Sequence, residues 1–140
     1  VGAQSTVSTV PAQLVRAPAG FGLYFRITVT NAAASLPSLL PGGVLPSIPP
    51  ANISGPGGTV YAFKFVDLEA ETDPNGGGPY VRYTDDGQTA PTATLGYVVP
   101  GQPSFVRIPC DPQDVKLIST GADVKVQVKL GIMGLTTGGN

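Results

Sequence analysis

An all-β fold, a jelly roll or related antiparallel β-sandwich of about eight strands, is predicted for this 140-residue chain by three observations. Apolar and polar residues alternate with period two in several stretches, the pattern of a strand with one buried face. These stretches are short and bounded by turn formers at intervals of roughly 8–12 residues. Nothing reads as a helix: 19 Gly and 15 Pro are spread along the chain, and long Ala/Leu/Lys/Glu runs are missing.

Residues 1–12 are small and polar apart from Val1, Val7 and Val10, and read as an extended arm or edge strand. The first strand with a clear pattern covers 21–29, where Phe21, Leu23, Phe25, Ile27 and Val29 alternate with Gly22, Tyr24, Arg26 and Thr28. Residues 32–58 form a proline-rich excursion with six prolines between 37 and 56, so neither a helix nor a central strand is expected there. Its aliphatics Leu36, Leu39, Leu40, Val44, Leu45, Ile48 and Ile53 are too many for a solvated linker. They either cap the open end of their own sandwich or lie on another subunit or another protein.

Residues 59–67 predict a second strong strand, with Tyr61, Phe63 and Phe65 on one face. The run 69–79 breaks it through Asn75-Gly76-Gly77-Gly78. Shorter strands follow at 80–84, 95–99 and 104–109, and Asp111-Pro112-Gln113-Asp114 suits a 3₁₀ turn. Residues 115–120 and 123–130 are expected to pair as a hairpin across Gly121-Ala122. Val124, Val126, Val128 and Leu130 make the second of these the cleanest amphipathic strand. One sandwich domain is thus expected over 13–132, followed by a flexible tail at 133–140.

Charged residues are only 12% of the chain and the formal net charge is -1. A surface of Ser, Thr, Gly, Pro, Asn and Gln offers little repulsion between copies, so a homo-oligomer, dimer or trimer, is expected. Eight Lys and Arg, placed singly, form no basic stripe, and nucleic acid is not an expected partner. No apolar run reaches the ~18 residues of a membrane span. Residues 1–10 carry no basic region followed by an apolar one, so no secretory signal is read there; Val1 suits loss of an initiator methionine as well as processing.

The chain holds no histidine, which removes the commonest general base and the commonest metal ligand together. No catalytic residue, metal or cofactor is expected. Cys110 is the only cysteine, has no histidine to activate it, and reads as a small buried apolar residue. Asp85-Asp86-Gly87 lacks the alternating acids of a calcium loop and reads as a turn. Asp67, Glu69, Glu71 and Asp73 read as a solvated loop face, and the glycine runs 55–58 and 75–78 lack the helix and Lys-Ser/Thr of a phosphate cradle. Tyr24, Tyr80, Tyr83 and Tyr97 are candidates for a sugar-stacking platform.

The order "VRYTDDGQTAPTATLG", "PGQPSFVRIP", "VKLISTGADVKVQVKL" resembles small structural proteins of tailed phages, and through them capsid cementing (decoration) proteins of jelly-roll type. The matching positions are 81–87, Pro91-Thr92, Gly96, Pro100-Gly101 and 115–130, within about the last 60 residues. The resemblance implies a non-enzymatic virion protein, assembled in the host cytoplasm. It would sit outside an icosahedral shell, bridging neighbouring copies of the major capsid protein against internal DNA pressure. The contact residues expected on the capsid or a sister subunit are Val7, Val10, Leu36, Leu39, Leu40, Val44, Leu45, Ile48 and Ile53. The alternative is a carbohydrate- or receptor-binding module of a head or tail fibre.

Overall fold

The computed structural model describes residues 13–16, 22–48 and 60–136. Among them the chain is nearly all β, with nine strands: β1 (Gln13–Arg16), β2 (Gly22–Val29), β3 (Ala34–Ser35), β4 (Val60–Ala70), β5 (Val81–Thr84), β6 (Tyr97–Val98), β7 (Val106–Ile108), β8 (Lys116–Ser119) and β9 (Val124–Thr136). One helical turn, α1 (Leu36–Leu39), and a 3₁₀ turn at Pro112–Asp114 complete the regular structure, apart from a short kinked turn at Pro41–Gly43.

By backbone proximity the chain divides into two compact units. The smaller holds Val1–Phe21, Ser47–Phe63 and Ile132–Asn140; within it β1 pairs antiparallel with the end of β9, Gln13 opposite Thr136 and Arg16 opposite Met133.

The larger unit, Gly22–Pro46 with Lys64–Gly131, carries two antiparallel sheets. In the first, β2 lies on β9, β9 on β4 and β4 on β7; in the second the order is β3-β8-β5-β6. The pairs nest from the outside inward: β2 with β9, β3 with β8, β4 with β7 and β5 with β6. Eight residue pairs hold β2 to β9, from Gly22 opposite Gly131 to Val29 opposite Val124. The alternation expected along both strands therefore meets in register, and a one-residue slip would turn every apolar side chain outward.

The buried faces hold the core. The first sheet contributes Ile27, Val29, Val66, Leu68, Val124, Val126, Val128 and Leu130, the second Val81, Tyr83 and Leu117, all at most 7% exposed. Each fully buried aliphatic of this kind contributes about 1.5–3 kcal/mol relative to exposure.

The expected hairpin over 115–130 does not form. β8 belongs to the second sheet and β9 to the first, and residues 120–123 carry the chain between them. Ser119 shapes this crossing: its hydroxyl donates to the Ala122 carbonyl (2.6 Å) and accepts from the Gly121 N–H (3.2 Å). The Ser119 N–H also donates to the Thr30 carbonyl, where the chain leaves β2 for β3. These two crossings between the sheets therefore meet at one end.

The proline-rich excursion departs from expectation as well. It starts with the edge strand β3 and one helical turn, because Pro37 stands in the first turn of α1, where its missing N–H has no carbonyl to lose. The turn packs against β2 and the Pro112–Asp114 turn, and the Leu36 N–H donates to the Val115 carbonyl at 2.8 Å. At the other end of the chain, β9 continues through Thr136, so residues 133–136 are strand where a flexible tail was expected. β4 likewise runs on to Ala70, past the expected break.

Candidate binding surfaces

The outward face of the first sheet carries a row of alternating rings and cations, placed by strand register. Tyr24 on β2 stands opposite Lys129 on β9, whose Nζ lies 5.4 Å from the Tyr24 ring centroid and 6.0 Å from that of Phe65 on β4. On the other side of Phe65, Arg107 of β7 sets its guanidinium carbon 4.1 Å from the ring centroid, and 5.9 Å from that of Phe105. Such contacts contribute about 0.5–1 kcal/mol each at exposed sites. Arg107 also binds both oxygens of Asp67, at 2.8 and 2.9 Å.

Further along this face Arg26 forks onto both oxygens of Glu71, and Gln127 donates to the same carboxylate at 2.7 Å. The Arg26 and Gln127 hydrogen bonds hold the Glu71 carboxyl down at about 2. A groove of about 540 Å³ opens between Tyr24 and Phe105, floored by β9 and β4. Tyr24 is 67% and Phe105 56% exposed, large values for aromatics on an ordered sheet.

The second surface is the β6 edge of the other sheet, which has no further strand on it among the described residues. Leu95, Tyr97 and Val98 are 50%, 67% and 40% exposed on and beside β6, the outermost strand. This edge is held rigidly. Arg82 on β5 donates to the carbonyls of Ala93 (3.0 Å) and Gly96 (2.7 Å), and the Tyr97 ring lies 5.6 Å from that of Tyr83. Gly96 has φ +119°, and a Cβ there would stand 2.8 Å from the Tyr83 carbonyl oxygen, so only glycine fits. Asp85-Asp86-Gly87 is a turn, as expected: Asp86 accepts from the N–H groups of Gln88 and Thr89 and from the Thr89 hydroxyl. These bonds, the Thr89 hydroxyl foremost, hold its carboxyl down at about 2.

The expected contact residues within 36–48 do not all present an open surface. Leu36 and Leu40 are 0% and 3% exposed and belong to the chain's own core, so neither is open to a partner. Leu39, Leu45 and Ile48 are half-buried, and Val44 at 64% is the one of the six in 36–48 that stands clear of its own fold. Val7, Val10 and Ile53 lie outside the described residues. The expected tyrosine platform does not assemble either, since Tyr83 is buried, Tyr24 belongs to the first sheet and Tyr97 to the second.

Sequence reading missed Phe65, Phe105, Arg107 and Lys129 as one row. Their outward positions are legible from alternation, but their adjacency depends on which strands pair. The acidic run is not the solvated face expected, because Asp67 and Glu71 are each gripped by an arginine. Cys110 is half-buried, and burial, then Asp85, pushes its thiol up to about 11. Among the described residues no group of three His, Cys, Asp or Glu is placed to hold a metal, and no helix is long and apolar enough to cross a membrane. No family model, curated protein or solved structure matches this chain.

Proposed function

We propose that this chain is a structural virion protein that binds the outside of a phage capsid and cements neighbouring major capsid proteins, as a dimer or trimer. Its fold on this reading is a jelly roll, supported by the nested order β2·β9, β3·β8, β4·β7, β5·β6 split between two sheets.

The observation that carries the reading is the rigid apolar edge formed by Leu95, Tyr97 and Val98 in a chain with only 12% charged residues. Exposed apolar residues gathered on an outer strand edge invite contact, and the Asp85 and Asp86 carboxylates beside Leu95 and Tyr97 favour a partner surface that is not acidic. Arg82 and Gly96 hold that edge in shape, so little conformational freedom is lost on docking. A small contact of this sort suffices where it repeats around a shell, because each bound copy raises the effective concentration of the next contact.

The test is co-sedimentation of the purified chain with heads of the phage that encodes it, stripped of the protein. The chain is expected to pellet with the heads and to raise their resistance to heat or chelator. A Leu95→Ser/Tyr97→Ser variant is expected to stay folded and remain in the supernatant. No pelleting of the parent chain would overturn the reading, and pelleting of the variant equal to the parent would overturn this edge as the contact.

A further inference from the structure

We propose that the groove on the outward face of the first sheet is a binding site for a short neutral oligosaccharide, stacked between Tyr24 and Phe105. The site is separate from the β6 edge and does not depend on the cementing reading.

The charge of the groove selects the class of ligand. Asp67 and Glu69 contribute two negative charges and Arg107 and Lys129 two positive ones, so the lining is neutral as a whole. Arg107 is committed to Asp67 in a two-point pair, and Lys129 lies against the Tyr24 ring. An anionic ligand would meet cations whose charge is already partly offset, with the Asp67 and Glu69 carboxylates beside them. A neutral ligand meets no such repulsion.

The backbone selects further. The floor is made of β9 and β4, interior strands whose N–H and C=O groups are used in the ladders to their neighbours. An extended peptide would find no free strand edge to pair with there. What the groove presents is an exposed ring at each end, Tyr24 and Phe105, and side-chain acceptors and donors between them. The Glu69 carboxylate accepts, the Gln102 amide does both, and Gln127 keeps its carbonyl oxygen while its Nε2 serves Glu71. Exposed rings for C–H-rich surfaces and mixed hydrogen-bonding groups for hydroxyls are what a pyranose chain requires.

The dimensions agree. Tyr24 stands on β2 and Phe105 just before β7, and these two outer strands of four are three inter-strand spacings, about 14 Å, apart. That is the reach of a short oligosaccharide, more than a single sugar. A volume of about 540 Å³ falls within the usual range for small-ligand sites.

The test is a ¹⁵N–¹H NMR titration of the whole chain with three probes in turn: maltotriose, cellotriose and chitotriose. At least one is expected to give saturable shifts at Tyr24, Gln102, Phe105 and Gln127, with millimolar affinity. Tyr24→Ala and Phe105→Ala change exposed side chains, so each is expected to keep a dispersed spectrum and to weaken binding about tenfold or more. The proposal is overturned if none of the three probes gives saturable shifts, if the shifts map to the β6 edge, or if both variants bind like the parent.

Discussion

Arg107 grips Asp67 directly across the β4–β7 register, Nε to Oδ1 at 2.8 Å and Nη2 to Oδ2 at 2.9 Å. The arginine side chain is 49% exposed but the aspartate only 11%, so the pair is half a surface contact and half a buried one. Removing the guanidinium strands a carboxylate with little access to water, and that loss outweighs the small worth of an exposed ion pair.

Arg107→Ala is therefore expected to lower stability in urea unfolding by about 1–3 kcal/mol. Arg107→Lys should recover less than half of this, because an ammonium cannot bond both oxygens in one plane or stack on Phe65. An Arg107→Ala loss below about 0.5 kcal/mol would mean that water satisfies Asp67 and that the pair is ornamental to the fold.

Gly131 makes a second, sharper demand. A Cβ at this position would overlap the ring of Phe65 on the neighbouring strand, so ring and glycine occupy one place together. Gly131→Ala is expected to cost about 1–3 kcal/mol in chemical denaturation, as overpacking does. Phe65→Leu should relieve most of that cost in the double variant. Additive losses in the two variants would show that the ring does not lie over the glycine.

Acid should weaken the fold in a defined window. Glu71 and Asp86 have carboxyls held down to about 2, the first by Arg26 and Gln127, the second by Thr89 and Gln88. Their folded-state values lie below the ordinary carboxylate range of about 4, so their contribution is complete above that range and is lost as pH falls toward about 2. The melting temperature is expected to hold steady from neutral pH to about 5 and then decline, less steeply in Glu71→Gln and Asp86→Asn. An equal slope in all three proteins would contradict the assignment.

These bonds separate what the sequence alone could disclose from what it could not. The alternation in 21–29 and 123–130 marks β2 and β9 because each strand buries one face against a core of its own making. Asp111-Pro112 announces the 3₁₀ turn because an aspartate cap and a proline act locally: Asp111 accepts from the Gln113 N–H at 3.0 Å. Pairing is different. Gly121-Ala122 reads as a hairpin turn, yet Ser119 bends the same residues into a crossing between sheets. Nothing within a few residues of Gly121 distinguishes the two, since the choice depends on β2, far away in the chain. The aliphatics of the excursion show the same limit. Leu36 and Val44 look equivalent in sequence, but only Leu36 lies where α1 meets the core. The groove was invisible for this reason too: Tyr24 and Phe105 share a face only through two intervening strands.

Cys110 should be a sluggish thiol. Burial first, then the carboxylates of Asp85, Asp114 and Asp111, push it up to about 11. At mildly alkaline pH its alkylation by iodoacetamide is expected to run about two orders of magnitude slower than that of free cysteine, because the thiolate is the nucleophile. A rate equal to that of free cysteine would show that the thiol is open to water and away from the acids.

The most direct measurement of the proposed cementing role is a cryo-EM reconstruction of the particles produced from the genome that encodes this chain. The two-sheet fold is expected as density on the outer shell, spanning neighbouring capsid subunits, with Leu95, Tyr97 and Val98 turned into the contact. Density confined to a tail fibre, or particles that lack the chain altogether, would contradict it.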